Sequence, residues 1–550
     1  MLVFYALMPI VFMVINLVFL NKPAKIIIPI ALCLYLIISF FIWKIDFLHL
    51  VSYSVLGFFK AIDIFLIIFG AVLLLNILKE SGGLNKINIM FSNISNDKRV
   101  QLLIIGFLFE AFMEGVAGFG SPGVLVAPLF VSLGFPPLLA IILGLMFDGI
   151  PVIFGAVGAP VSATISSLSN ILEISRIDVV SFTNNFINKI AVINLISGFF
   201  IPIFAIFITI FYFGGKKTNK IKSFIEILPF TIYVSFIFLI NLYFFSKIGY
   251  ALPSILSSII ALIIVIFTTI KLNFLIPKNI WNFESKDLWL NSWKSNVLKK
   301  ENANMQSNIS LFNALLPYLL VAILLIISRL EIFGFVLYIK KAIIHIGDIL
   351  TFLHLPKIHF DFFVLNNPGI FPFIFVAIFI GYFYKLSLKT NIIIWKKTFI
   401  QLRSSGIILV YIFIITQLMI YSKDNSQNLD SMLSIISKFI ATLSGQYFLW
   451  ISSFIGALGS FLGGSSAVSN ILFSSVQFET ALYTKLPLDV VIALQSTGSA
   501  LATMITINKI IAVSATVNIV NMEGKILKIT LFPLFLYCIL ATCVSYLIYL

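Results

Sequence analysis

The sequence predicts an all-α polytopic membrane protein, an inverted-repeat secondary transporter with broken or re-entrant helices and roughly 12–14 spans. Three observations predict it. Hydrophobic residues make up 60% of the 550, charged residues 10%, and mean hydropathy is +1.11, whereas a soluble domain carries about a quarter charged residues. Apolar runs long enough to span recur along the whole chain. Two further apolar stretches, 101–160 and 432–520, are interrupted by glycine, proline and polar residues. In hydrocarbon every broken backbone hydrogen bond needs a partner within the protein, so such breaks are tolerated where they line a polar cavity.

The first run, 1–20, has no basic residue ahead of it, and Lys22 and Lys25 follow. That is not the pattern of a cleaved signal peptide, and the run is read as a retained span with its N-terminus outside. Further spans are expected at 25–43, 61–78, 188–213, 225–245, 251–270, 309–328, 369–384, 404–422 and 528–548. Lysine and arginine concentrate in 79–100, 214–224, 271–308 and 385–403. Assigning all four to the cytoplasm, as the positive-inside rule asks, agrees with the span parity: two spans separate 214–224 from 271–308, and two more separate 271–308 from 385–403. The chain then divides into a first half, 1–270, a basic cytoplasmic linker, 271–308, and a second half, 309–550, with one broken block in each half.

The stretch 329–368 falls outside. His345, His354 and His359 lie in it, but their spacing fits no compact metal motif, and Lys340 and Lys341 would repel a cation. An interfacial helix is expected there, and no metal or cofactor. Cys33, Cys538 and Cys543 sit in apolar segments and are read as inert buried thiols. The net charge of +15 is dispersed between apolar runs. This excludes nucleic acid as a partner and points to anionic membrane lipids. The sequence leaves a homo-oligomer open.

The two broken blocks echo each other. GFGSPGVLVAPLF (118–130) pairs with FLGGSSAVSNILF (461–473), and a proline-headed segment follows each, at 136–161 and 487–513. Matching interruptions in two halves place a site between them. Glu110 and Glu114, four residues apart, share a helix face. Two like charges at low dielectric cannot easily both ionise, so one carboxyl near neutrality can ferry a proton. Either carboxylate could instead serve structure, accepting hydrogen bonds from the amides of the glycine turn. Asp148 is the third acid of the block.

Gly118, Gly120 and Ser121 form a tight turn whose amides, with the dipole of the helix that follows, can hold an anion. Their counterparts Gly464 and Ser465, with Ser469 and Asn470, add hydroxyls and an amide. Gln495, Thr497 and Thr503 supply neutral polar groups further on. Lys509 either pairs with a substrate carboxylate or an intramembrane acid, or snorkels to the interface.

The segment MEGVAGFGSPGVLVAPLFVSLGFPPLLA, followed by PVIFGAVGAP, resembles the signature region of the lactate permease family of bacterial 2-hydroxymonocarboxylate symporters. FLGGSSAVSNILFSSVQ, QSTGSALATMI and the KIIAVSATV tail resemble that family's second block. The matching positions are Glu114, Gly115, Gly118, Phe119, Gly120, Pro122, Pro151, Phe154, Gly155 and Pro160, then Gly464, Ser465, Ser469, Asn470, Phe473, Thr497, Gly498 and Met504. The chain departs from the family pattern at Glu110, Asp148, Ser466 and Gln495, where that pattern has a small residue, asparagine, aspartate or asparagine, and asparagine.

The resemblance implies a carrier of L-lactate, and of relatives such as glycolate, coupled to protons and working by alternating access in the bacterial inner membrane. Glu114 is then the residue expected to take the coupling proton, with Glu110 and Asp148 tuning it. A sodium-coupled carboxylate carrier is the alternative within the class, favoured by the extra acids. A membrane-embedded transferase is the alternative from another class. The short or lysine-rich cytoplasmic loops offer no nucleotide or phosphate motif for one, and no P-loop occurs to drive a primary pump.

Overall fold

The computed structural model describes residues 1–16, 20, 24–83, 86, 94–116, 118, 121–215, 219–294, 310–329, 343–345, 351, 355–356, 358, 360–363, 365, 367, 369–517, 519 and 522–549. Helix dominates them. Among the described residues eight helices are long and apolar enough to cross a membrane, nine if one bent pair counts as a span, and five shorter apolar helices accompany them.

The chain opens with α1 (Leu2–Val14), α2 (Ala24–Phe41) and α3 (Phe47–Glu80). Helix α3 runs well before the expected start at 61, because Lys60 and Asp63 are carried inside the protein and do not mark its edge. The first broken block begins with Lys98–Gln101, the π-helical turns Leu102–Phe109 and Glu110–Val116, which run on as α4. After a break come α5 (Ser121–Ser132) and α6 (Pro137–Met146), then a 3₁₀ turn at Pro151–Phe154 and α7 (Gly155–Ile174). Helices α8 (Val179–Ser197), α9 (Phe200–Phe211), α10 (Lys220–Ser246) and α11 (Pro253–Leu272) complete this half. The run at 188–213 is thus two helices, divided at Gly198.

The second half holds α12 (Leu311–Arg329), α13 (Phe375–Phe383), α14 (Leu388–Tyr421) and α15 (Met432–Ser444). Its broken block is α16 (Phe448–Gly463), α17 (Ser466–Thr484), α18 (Leu488–Leu501), a 3₁₀ turn at Ala502–Ile505 and α19 (Ile507–Thr516), followed by α20 (Glu523–Tyr549).

One expectation needs correction. The segment 385–403 is mostly helix: Leu388–Arg403 is the first part of α14, which bends by 44° before Gly406–Tyr421. Most of 329–368, and with it the expected interfacial helix, lies outside the described residues. Those described there pair β1 (Ile343–His345) with β2 (Asp361–Phe363), antiparallel, with His345 Nδ1 2.7 Å from Asp361 Oδ1. β-branched and aromatic residues suit that pairing. His354, His359, Lys340 and Lys341 lie outside the described residues.

The two broken blocks share one order of elements: helix, break, helix, tight turn, proline-headed helix, 3₁₀ turn, helix. The turn residues Gly134 (φ 91°) and Lys485 (φ 56°) are left-handed in both. So are the residues closing α4 and α16, Gly118 (φ 53°) and Gly464 (φ 73°). There a side chain would be strained, which is why glycine stands at both breaks. The blocks also pack on each other. Helix α7 lies along α17, and α19 lies against α5 and α6, while α14 packs on α3.

Direct contacts gather the basic segments on one face. Arg99, fully buried, donates to both oxygens of Asp97 (3.1 and 2.6 Å), to Ser223 O (2.8 Å) and to Asn279 O (2.8 Å). Asp97 also accepts from the Trp281 amide (3.1 Å). Asn76 donates to Thr398 (2.9 Å) and Gln401 (3.1 Å), which ties the end of α3 to the start of α14.

Candidate functional site

Between the two broken blocks lies a cavity of about 420 Å³. Lys79 and Gln401, both exposed, stand at its mouth on the face that carries the basic segments. Glu114, Gly118, Gly155 and Ala156 line it from the first block, and Gly464, Ser465, Ser466, Thr503, Asn508 and Lys509 from the second.

The charged groups converge on this space. Glu110, Glu114 and Asp148 are 0%, 2% and 2% exposed, and Lys509 is 9% exposed. Lys509 Nζ donates to Asp148 Oδ2 in an ion pair that joins the two blocks. Thr503 donates to the same oxygen at 3.4 Å. Of the roles open to Lys509, pairing with an intramembrane acid is the one seen, with the side chain still on the cavity wall. Glu114 and Glu110 lie within the electrostatic reach of both Asp148 and Lys509. Among the described residues Glu114 Oε2, Asp148 Oδ1 and both Glu110 carboxyl oxygens are buried without a hydrogen-bond partner. Buried polar atoms are rarely left so, and of these residues Glu114 lines the cavity.

Backbone shape brings Glu114 there. A Cβ at Gly155 would collide with its carboxyl, and one at Gly118 would come within 3.2 Å of Oε1. Beyond Gly155, Ala156, Val157 and Gly158 all have positive φ (42°, 61°, 76°). Left-handed backbone at two residues with side chains costs about 1–3 kcal/mol each and persists only where the surroundings enforce it. Opposite, α17 begins at the cavity wall. Ser465 is extended (φ −160°) at its N-cap, and it and Ser466, the first residue of this 19-residue helix, line the cavity that Glu114 and Lys509 also line. A helix start of this kind attracts an anion.

Several expected binding residues lie elsewhere. Ser469, Asn470, Gln495 and Thr497 are not on the cavity wall. They form a buried network in which Ser499 donates to Asn470 (2.8 Å), Gln495 donates to Ser469 (3.1 Å) and also pairs with Gln477, and Thr497 donates to Leu494 O (3.1 Å). Ser469 donates to Gly456 O (2.7 Å), and Asn470 reaches across to Pro160 O (3.3 Å). The α17 face that carries Ser469 and Asn470 turns to α16, α18 and α7, so these groups hold the blocks together. Gly120 and the Ser121 side chain lie outside the described residues.

The sequence reading missed Asn76, Gln401 and Asn508 as wall residues. Asn76 reaches the cavity from the expected span 61–78 and Gln401 from 385–403, which read as a basic cytoplasmic segment, and no signal short of their pairing across the fold would have found them. Asn508 had a signal, its place directly before Lys509 in the broken segment.

A family model described as L-lactate permease matches residues 3–550. A Haemophilus influenzae protein is 31% identical over 496 residues, covering 86% of this chain and 85% of its own. The glycolate permease GlcA of Escherichia coli (strain K12) is 26% identical, covering 96% and 91%. The L-lactate permease of Salmonella typhi is 26% identical, covering 90% and 86%. Among solved structures, the YdaH transporter of Alcanivorax borkumensis aligns with a TM-score of 0.41 at 11% identity, covering 88% of this chain and 85% of that one.

Proposed function

We propose, on the premise that this chain belongs to the L-lactate permease family, that it moves L-lactate and related 2-hydroxymonocarboxylates such as glycolate together with a proton, by alternating access, across the bacterial inner membrane. The observation that carries this reading is a cavity between two broken helical blocks whose wall carries Glu114 and Lys509, the latter paired with the buried Asp148.

The coupling follows from charge. With Glu110 neutral, the Asp148–Lys509 pair is balanced and an ionised Glu114 gives the empty site a single negative charge. A carboxylate entering the cavity would find the α17 amides at Ser465 and Ser466 on one side and Lys509 with Asn508 on the other. Adding that anion alone would leave an uncompensated charge in a low-dielectric site, which is costly. Adding it with a proton keeps the total fixed. Glu114 is the group that takes the proton, because it lines the cavity and forms no ion pair among the described residues, while Asp148 is paired with Lys509. Asn470 and Ser469 act behind this site, holding the two blocks in register.

The test is uptake of labelled L-lactate into proteoliposomes, with pH and sodium gradients imposed independently. An inward proton gradient drives accumulation without sodium if the reading holds. Sodium-dependent uptake indifferent to pH would replace it with a sodium-coupled carrier.

A further inference from the structure

A second buried cation lies apart from this cavity. Lys60, in the middle of α3, is 0% exposed. Its Nζ donates to Ser166 O (2.9 Å) and to the Ser169 hydroxyl (3.1 Å), both on α7, and stands 5.5 Å from the centre of the Phe360 ring. It forms no ion pair among the described residues. The acid one turn along α3, Asp63, accepts instead from the Asn367 side chain at 2.7 Å. An intramembrane lysine is costly and is kept where it serves a substrate or ion path. Its direct hydrogen-bond partners are neutral, with Asp63 and Glu173 acting on it only at longer range, so an arriving anion could displace those partners without breaking a salt bridge.

Helix α7 links Lys60 to the cavity. Gly155, Ala156 and Pro160 line the cavity, and Ser169 lies nine residues past Pro160, about 13 Å along the axis at 1.5 Å per residue. Along that length the buried Ser166 Oγ has no hydrogen-bond partner among the described residues. Further on, Asn170 donates to Gln417 Oε1 (3.1 Å), whose own Nε2 is likewise unpartnered among them. The exposed Glu173 lies in the last turn of α7, on the face opposite Lys79. The polar side of α7 therefore runs from the closed end of the cavity to the far surface, with one cation midway.

We propose that Lys60, with Ser169, is a second carboxylate site on the translocation path, occupied by the substrate when the path opens toward the face bearing Asp46, Glu173 and Asp424. This rests on the carrier reading above. It adds a station for the substrate in the half of the path that is closed in this structure.

The test compares L-lactate transport in right-side-out and everted membrane vesicles for the unaltered protein, Lys60→Met, Lys60→Arg and Ser169→Ala. A hydrogen bond to a charged group lost from one face raises KM from that face by about tenfold or more. Lys60→Met should do so from the outer face, leave KM from the Lys79 face near its original value, and be rescued by Lys60→Arg. Ser169→Ala should raise the same outer KM more modestly. Equal KM changes at both faces, or a loss that Lys60→Arg does not relieve, would make Lys60 a structural residue and overturn the proposal. Should Lys60→Met fail to insert, an unchanged outer KM in Ser169→Ala overturns it alone. Unaltered protein that moves no lactate would overturn the carrier reading itself, a result separable from all of these.

Discussion

The Asp148–Lys509 pair gives the sharpest stability prediction. Both groups are almost fully buried, so removing one partner strands the other. A stranded buried charge costs about 3–5 kcal/mol. The two single variants should nevertheless differ. Asp148→Asn leaves Lys509 within reach of Glu114 and Glu110, and re-pairing limits the cost to the loss of one charged hydrogen bond, about 1.5–3 kcal/mol. Lys509→Met leaves three acids facing one another with no cation in their midst and should fall in the upper range, about 3–5 kcal/mol. The double variant should be more stable than the sum of the two losses by roughly 0.5–3 kcal/mol, the coupling usual for contacting residues. Thermal unfolding of the purified protein in detergent, followed through tryptophan fluorescence, ranks the four proteins. Additive losses, or Asp148→Asn as damaging as Lys509→Met, would refute the view that these four groups form one electrostatic unit.

Other expectations follow from single contacts. Gly155→Ala should abolish lactate uptake without lowering membrane insertion, because its methyl group would displace the Glu114 carboxyl; uptake at the original rate in a well-inserted variant would mean the carboxyl has room to move. Arg99→Met should destabilise the protein by about 3–5 kcal/mol, because Asp97 is left buried and unpaired, and protease susceptibility of the 271–294 segment should rise; an unchanged digestion pattern would show that segment to be held by other contacts.

The site was legible in the sequence where a rule of the membrane was broken. Glu114, Asp148 and Lys509 stood out because charge inside apolar runs is rare, and Gly118 and Gly464 because breaks are rare beside such charge. Lys60 breaks the same rule, but one residue before an apolar run it read as the edge of a span. The depth of α3, starting at Phe47, was needed to see it as interior. Ser469 and Asn470 carry the right groups for a 2-hydroxyacid, and their types suggested contact with it. In the structure only the start of α17 meets the cavity, and Ser469 and Asn470 bond to neighbouring helices. The β1–β2 pair was invisible because three-residue strands make too short a pattern to outweigh the apolar run around them.

Net and exchange transport by Glu114→Gln together test the central claim most directly. Glutamine keeps the size of the side chain and its hydrogen bonding but cannot give up a proton. In proteoliposomes with sodium absent, the variant should fail to accumulate L-lactate under an inward proton gradient. It should still exchange internal for external lactate, a cycle that needs no net proton movement. Accumulation equal to that of the unaltered protein would contradict the account and remove Glu114 as the carrier of the coupling proton.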